Sequence, residues 1–391
     1  MLTFIHVADL HLDRSFQGPQ EAFEDLREIN AFVLENIIDN AINKDVNFLV
    51  FAGDTFHQSR TSIQTQAHFI EQLKRLEEVG IPVILSFGNH DYYEKNRYWF
   101  DFPSNVHVFY SETVESLSMA FDDVGESLTI SGFSYTHPIL TESKLPEFPE
   151  RNEETNYHIG IYHGEMAQSG RYAPFSLTDM KEKGYDYWAL GHIHAYQVLS
   201  EDKPYIVYPG TPQGHNKKEN HVSGVLYVTM DAGEVKSVEA IPVAQVLYHE
   251  LRVDLRECRT LPEAQKAITD VLAQGVIYTL VLEKTEQLED EFIRSVESLE
   301  LLDYLNTQFW ISSIKLEEEE NEGKFHLFID DELVANMVKE TDVKAIKNEM
   351  RNNMPSELLE LFDEDFSSEV QEEIYKELKE EYELTGGNDE N

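Results

Sequence analysis

The chain has 391 residues, of which 41% are hydrophobic and 11% aromatic, enough ordinary globular material for two or three domains with cores of their own. Its formal net charge of −43 argues against unaided binding to nucleic acid, since duplex DNA carries a charge roughly every 1.7 Å, unless bound divalent metals and a basic partner offset that field. One cysteine, Cys258, excludes an internal disulfide framework; no apolar run reaches membrane-span length and MLTFIHVADLHL does not read as a signal peptide, so a soluble cytoplasmic protein is expected.

In chain order, FIHVA (4–8), NFLVFAG (47–53), PVILSFG (82–88), LTISGFS (128–134), HIGIYHG (158–164), YWALG (187–191), YIVYPG (205–210) and SGVLYVTM (223–230) read as strands. Helical spacing lies between the first three, over 21–44 and 62–79, with Phe32, Leu34, Ile37, Ile38, Ala41 and Ile42 as one apolar set. Several strands are apolar on both faces, as in sheets covered on both sides. The expected fold class is α/β: a two-layered mixed β-sandwich flanked by helices, over residues 1–245. Beyond it, YHELRVDL (248–255), a helix over 261–274, YTLVLEKT (278–285), a helix near 288–306 and FWISSIKLE (309–317) suggest a small α+β capping domain over 246–329. EEEENEG (317–323) reads as a solvated turn. Residues 330–391 read as an acidic helical region, whose apolar stripe of Phe366, Val370, Ile374 and Leu378 is suited to a partner.

Polar residues wait at five strand ends. Asp9 and His11 follow the first, Gly53-Asp54-Thr55-Phe56-His57 the second, and Gly88-Asn89-His90-Asp91 the third; His163-Gly164 and Gly191-His192-Ile193-His194 follow the later two. Each has a structural reading when taken singly: a helix cap, a turn, a hydrogen-bonded loop. Together they point to a metal site, because open α/β sheets place sites at such ends. Carboxylates, imidazoles and one amide, without thiolate, suit manganese or iron better than a structural zinc. Seven ligands exceed one tetrahedral shell, and two ions about 3.5–4 Å apart sharing a carboxylate account for the number.

These motifs resemble those of the calcineurin-like binuclear metallophosphoesterases. More closely, Gly53-Asp54-Thr55-Phe56-His57 and the C-terminal arrangement look like the SbcD-like nuclease subunits of DNA double-strand-break repair complexes, and PGTPQGHNKKEN (209–220) like their Firmicute YhaO branch. The resemblance implies one metal on Asp9, His11 and His194, a second on Asn89, His163 and His192, and Asp54 bridging the two. It implies a catalytic His90 that stabilises the pentavalent transition state and protonates the leaving oxygen, Asp91 orienting His90, and His57 steering the scissile phosphate. The chain departs from the family at Ser223-Gly224, where a Lys-Gly pair is common, which weakens a phosphate contact there; Lys217 and Lys218 read as a solvated loop.

The expectation is a DNA nuclease with two divalent ions, Mn²⁺ by the ligand types, acting 3′→5′ with some endonuclease action on single strands. A homodimer beside an SMC-like ATPase, with the 366–378 stripe on that ATPase and no membrane contact, completes it. Two other readings stand: a phosphodiesterase or phosphatase for small molecules or cyclic nucleotides, which the acidity favours, and a non-catalytic scaffold subunit. RYWFDF (97–102) mixes Arg97 with aromatics suited to stacking on bases, to a dimer contact, or to packing under a loop.

Overall fold

The computed structural model describes residues 1–317, apart from 19–25, 27, 59 and 221–223. The region expected over 330–391, with its Phe366 stripe, most of the turn at 317–323, the end of the capping domain, and Ser223 lie outside the described residues.

Two six-stranded mixed sheets stack face to face. The first runs β12 (Glu234–Pro242), β11 (Gly224–Asp231), β1 (Leu2–Val7), β2 (Phe48–Ala52), β3 (Val83–Ser86), β4 (Val106–Val108). The second runs β5 (Glu115–Phe121), β6 (Glu126–Gly132), β7 (Tyr157–His163), β8 (Tyr187–Gly191), β10 (Tyr205–Tyr208), β9 (Gln197–Ser200). In the first, β1 to β4 are parallel; in the second, β6, β7, β8 and β10 are. Alternation divides each strand between two cores. Phe4, Phe48, Val50 and Ile84 face inward onto Ile130, Ile159, Tyr187 and Val207 of the other sheet. Their neighbours Ile5, Leu49, Phe51 and Leu85 face outward onto helices α1 (Ile29–Asn43) and α2 (Ile63–Glu78). On the far side, Tyr162, Trp188 and Ile206 are covered by Phe148, Phe175, Tyr185 and Met180, the last from α3 (Leu177–Glu182). With each fully buried large side chain contributing roughly 1.5–3 kcal/mol, these layers hold the strand ends in fixed relation.

A buried polar link ties the sheets beneath the site. His6 Nε2 lies 3.0 Å from the Leu190 carbonyl, to which it must donate, so Nδ1 accepts from Tyr187 Oη, also at 3.0 Å.

Helix α1 buries Val33, Leu34, Ile37, Ile38 and Ala41, one face at helical spacing. Phe32, expected in that stripe, is 49% exposed, because Val33 one position on takes the inward place. Helix α2 starts where Ser62 Oγ accepts the Thr65 N–H at 3.0 Å. Four strands were not anticipated from apolar runs: β4, β5, β9 and β12. They are the four sheet edges, half solvated, so their sequences carry fewer apolar residues.

Residues beyond 245 form a separate parallel sheet, β13 (Leu247–Asp254), β14 (Val276–Glu283) and β15 (Trp310–Leu316), connected through α4 (Leu261–Thr269), α5 (Asp290–Glu297) and α6 (Glu300–Asn306). The single helix expected near 288–306 is broken into α5 and α6 by Leu299, whose φ is +64°. Val253, Ile268, Leu280, Leu282, Phe292 and Leu305 make this sheet's own core. Tyr248 and Ile277 pack with Phe16 and Val246. No helix among the described residues is long and apolar enough to cross a membrane.

Candidate metal centre

The C-terminal ends of β1, β2 and β3 in one sheet meet those of β7 and β8 in the other, and the expected polar residues converge there. Asp9, His11, Asp54 and His163 are at most 1% exposed and Asn89 8%, whereas His192 and His194 are half-buried. Reaching this arrangement distorts the chain. Asp9, His11, Asp54 and His192 have φ of +51°, +47°, +51° and +102°, a region side-chain-bearing residues enter only when their surroundings compel it. Short bridges between loops do the compelling: Asp9 N–H donates to Gly53 O at 3.1 Å, His11 N–H to Asp54 O at 3.0 Å, and His192 N–H to both Asp9 oxygens at 3.0 Å.

The glycines of the motifs make room for His163. A Cβ on Gly53 would collide with His163 Nδ1, on Gly88 with Asp54 Oδ1 and the same imidazole, and on Gly191 with the Ala52 carbonyl oxygen. Lodged among three backbones, His163 donates from Nδ1 to Ala52 O at 2.9 Å, which turns Nε2 toward Asn89 Oδ1 (3.1 Å) and Asp54 Oδ2 (3.4 Å). His192 Nδ1 lies 3.1 Å from the same Asn89 oxygen. On the other side His11 Nε2 faces His194 Nε2 at 3.1 Å, with Asp54 Oδ2 3.9 Å from His11 Nε2. Asp9, His11 and His194 present ligand atoms within 4.8 Å of one another, as do Asp9, Asp54 and His163.

Electrostatics agree with a cation site. Burial raises the Asp9 carboxyl to about 6, with the attraction of His163 and His194 offsetting part of it. For Asp54 burial acts upward, but His163's charge and hydrogen bond, then His11, hold it far below the carboxylate range. Burial opposes the His163 imidazolium, yet Asp54 and then Asp9 raise it to about 9. Burial, joined by repulsion from His163, lowers His192 to about 3, and burial holds His11 well below the ordinary imidazole value. Two buried carboxylates draw positive charge toward this cluster, and His11 and His192, held neutral, offer lone pairs beside them. Opposed nitrogens 3.1 Å apart, and oxygen and nitrogen donors without thiolate, fit a binuclear divalent metal site.

The residues expected to act on substrate lie at the rim. His90 is exposed, its Nδ1 donates to His57 O at 3.1 Å, and its ring meets that of His11 edge-on at 5.1 Å. The His57 and His90 rings stack at 5.0 Å, and His57 also meets His11 edge-on at 5.2 Å. Burial, then the His90 charge, lowers His57 to about 4.

Asp91 does not orient His90. Its fully buried carboxylate accepts the N–H groups of Gly88 (2.7 Å), Thr55 (2.8 Å), Asp54 and Phe56 (both 3.2 Å), so its acceptor capacity is spent on fixing the two loops that carry Asp54 and Asn89. Burial and then the Asp54 charge raise it to about 7, against those hydrogen bonds.

Sequence reasoning missed Glu219. Its Oε1 accepts His194 Nδ1–H at 2.8 Å and Arg14 at 2.7 Å, and its Oε2 accepts the His215 N–H at 2.7 Å. The signal lay inside PGTPQGHNKKEN, but Lys217 and Lys218, both exposed, drew attention from the acid beside them. Asp13, which accepts the His57 N–H at 2.6 Å, was missed as well, though it directly follows the first motif. In RYWFDF, Tyr98 and Phe102 pack on Phe87 while Trp99 is 68% exposed on a backbone held by Gln66.

Comparison with known proteins agrees with this geometry. Residues 2–196 match the calcineurin-like phosphoesterase family. The chain is 33% identical over 321 residues to the uncharacterized metallophosphoesterase YhaO of Bacillus subtilis (strain 168), spanning 76% of this chain and 78% of that protein. Among solved structures it is similar to the calcineurin-like phosphoesterase YfkN of Bacillus subtilis, at 13% identity and TM-score 0.36 over 61% of this chain and 90% of that one. A purple acid phosphatase from yellow lupin seeds is similar at 11% identity and TM-score 0.33, over 59% and 50%. Neither structural likeness is close enough to add to the argument. With its ligands gathered at the parallel strand ends of a double sheet, and with a relative aligned over most of both chains, the protein belongs to the calcineurin-like metallophosphoesterase family.

Proposed function

We propose that this metal-dependent phosphoesterase is a manganese-dependent DNA nuclease, acting 3′→5′ on ends and cutting single strands, in the cytoplasm beside an SMC-like ATPase and as a homodimer. The observation that carries phosphodiester chemistry is the pairing of a deeply buried cluster of ligand types with an exposed His90 whose Nδ1 is taken by His57 O and whose ring stands edge-on to His11. DNA as substrate rests on the resemblance of the motifs to repair nucleases.

Two divalent cations bound at this cluster supply Lewis acidity toward a phosphoryl oxygen and lower the pKa of water. Asp9, His11 and His194 would hold one, and Asn89, His163 and His192 the other, with Asp54 Oδ2 facing both sets. His90 gives a proton from Nε2 to the leaving oxygen, since Nδ1 is committed to His57 O. The His57 ring, stacked behind it, keeps His90 upright over the site. Asp91 keeps Asp54 and Asn89 at fixed separation through four backbone N–H groups.

A second reading, a phosphodiesterase or phosphatase for small phosphoesters, is favoured by the charge of −43, which repels a polyanion more than a small ester. A labelled linear duplex, a single-stranded oligonucleotide and bis-p-nitrophenyl phosphate, each with Mn²⁺, separate the two. Mononucleotides released from DNA and abolished by EDTA support the nuclease. Turnover of the small diester alone, unchanged by adding the ATPase, supports the second reading.

A further inference from the structure

We infer that Glu219 is a positioning residue of the metal centre, holding His194 with Nε2 turned toward the cation it would share with Asp9 and His11. The inference rests on the two-cation reading of the site. A carboxylate only accepts, so the 2.8 Å contact places a proton on His194 Nδ1 and leaves Nε2 as the lone-pair nitrogen. That nitrogen is the one lying 3.1 Å from His11 Nε2. A carboxylate behind a ligating imidazole fixes its tautomer and ring plane and raises its basicity.

Glu219 is itself held from three directions. Arg14 shares Oε1 at 2.7 Å and the His215 N–H takes Oε2 at 2.7 Å. The ring then closes, since His215 Nε2 donates to Asn30 Oδ1 at 2.9 Å and Asn30 Nδ2 to Arg14 O at 3.0 Å. Three separate segments are thereby joined around one carboxylate whose side chain is 10% exposed. The small sheet reaches the same place: Tyr248 Oη of β13 lies 2.7 Å from both the Gln17 and His215 carbonyls. Neither Glu219 nor Arg14 is near Asn89 or His163 through any of these bonds, so the device serves one of the two cation sets.

That asymmetry makes the test. Full-length wild type, Glu219→Gln and Asn30→Ala are titrated with Mn²⁺, followed by electron paramagnetic resonance and by melting of the metal-free protein. Wild type should bind two ions with a spin-coupled spectrum. Glu219→Gln should keep one ion at wild-type affinity, weaken the other by roughly 10–100-fold and show an uncoupled manganese signal, with its metal-free melting little changed. Asn30→Ala, which opens the ring but spares the Glu219–His194 bond, should retain both ions. Two ions bound at unchanged affinity by Glu219→Gln, or an equal loss in Asn30→Ala, would overturn the inference. A wild type that never takes a second ion would overturn the two-cation reading and the inference with it.

Discussion

Runs of three parallel strands joined by helices occur twice in the described residues, once as β1, β2 and β3 of the sandwich and once as β13, β14 and β15 of the small sheet. Both sets finish in acidic residues. After β1 and β2 stand Asp9 and Asp54, buried, with left-handed backbone and imidazoles around them. At the ends of the small sheet stand Asp254, Glu283 and Glu317, partly exposed and answered by Arg252 and Arg256 at 2.5–3.5 Å. A carboxylate at a strand end is therefore not a site by itself. The sandwich ends become one because burial and backbone strain are spent on bringing nitrogen and oxygen donors together, with imidazoles rather than guanidinium groups facing the carboxylates.

That contrast can be broken most sharply by exchanging charge for shape at each place. Asp54→Asn should take diester hydrolysis below detection and reduce bound Mn²⁺ below two per chain, as read by elemental analysis of the purified protein. Arg252→Ala on the small sheet should leave turnover and the urea midpoint close to wild type, because exposed ion pairs contribute little. Equal effects from the two substitutions would erase the distinction.

Next in size is Gly191→Ala. The added methyl meets the Ala52 carbonyl oxygen, a backbone atom that cannot swing aside, and comes 2.8 Å from His163 Nδ1. Overpacking of this kind costs about 1–3 kcal/mol. Chemical denaturation should show that loss together with weakened Mn²⁺ binding, whereas wild-type metal affinity would mean that His163 does not need this cradle.

A further difference is in pH. Burial lowers His6 to about 3 and His158 to about 4, against an ordinary value near 6.5. Both are neutral in the folded sandwich. Their contribution is fully present above pH 6.5; below it the unfolded chain takes up protons that the fold refuses, so stability falls as pH drops, until His158 and then His6 protonate in place. The slope approaches about 1.4 kcal/mol per pH unit for each. Nuclear magnetic resonance titration of the His6 and His158 ring signals should show neither protonating between pH 7 and pH 5, and protonation of either in that range would contradict their reading as buried neutral groups.

How much of this was legible in the sequence follows from the same physics. Interior strands announce themselves because both faces are buried, and all eight apolar runs chosen in the first 245 residues became strands. Edge strands such as ESLSMAF and EVKSVEAIP face water and carry no comparable run. The residues that cluster at the candidate metal centre were legible because each stands at or just after the end of an apolar strand. Glu219 and the true partners of Asp91 were not, because their roles depend on which backbone N–H groups and imidazole nitrogens fold beside them from residues up to 37 positions away. Asp91 sits next to His90 in sequence, yet its carboxylate turns inward while the His90 ring turns out.

The most direct test of the account is His90→Asn assayed on bis-p-nitrophenyl phosphate with its manganese content measured on the same preparation. Two ions per chain with turnover reduced by roughly 10²–10⁴-fold is the predicted result, since the buried ligands are untouched and only the proton donor at the rim is gone. Full turnover with both ions in place would contradict the assignment of the chemistry to His90 over a buried metal pair.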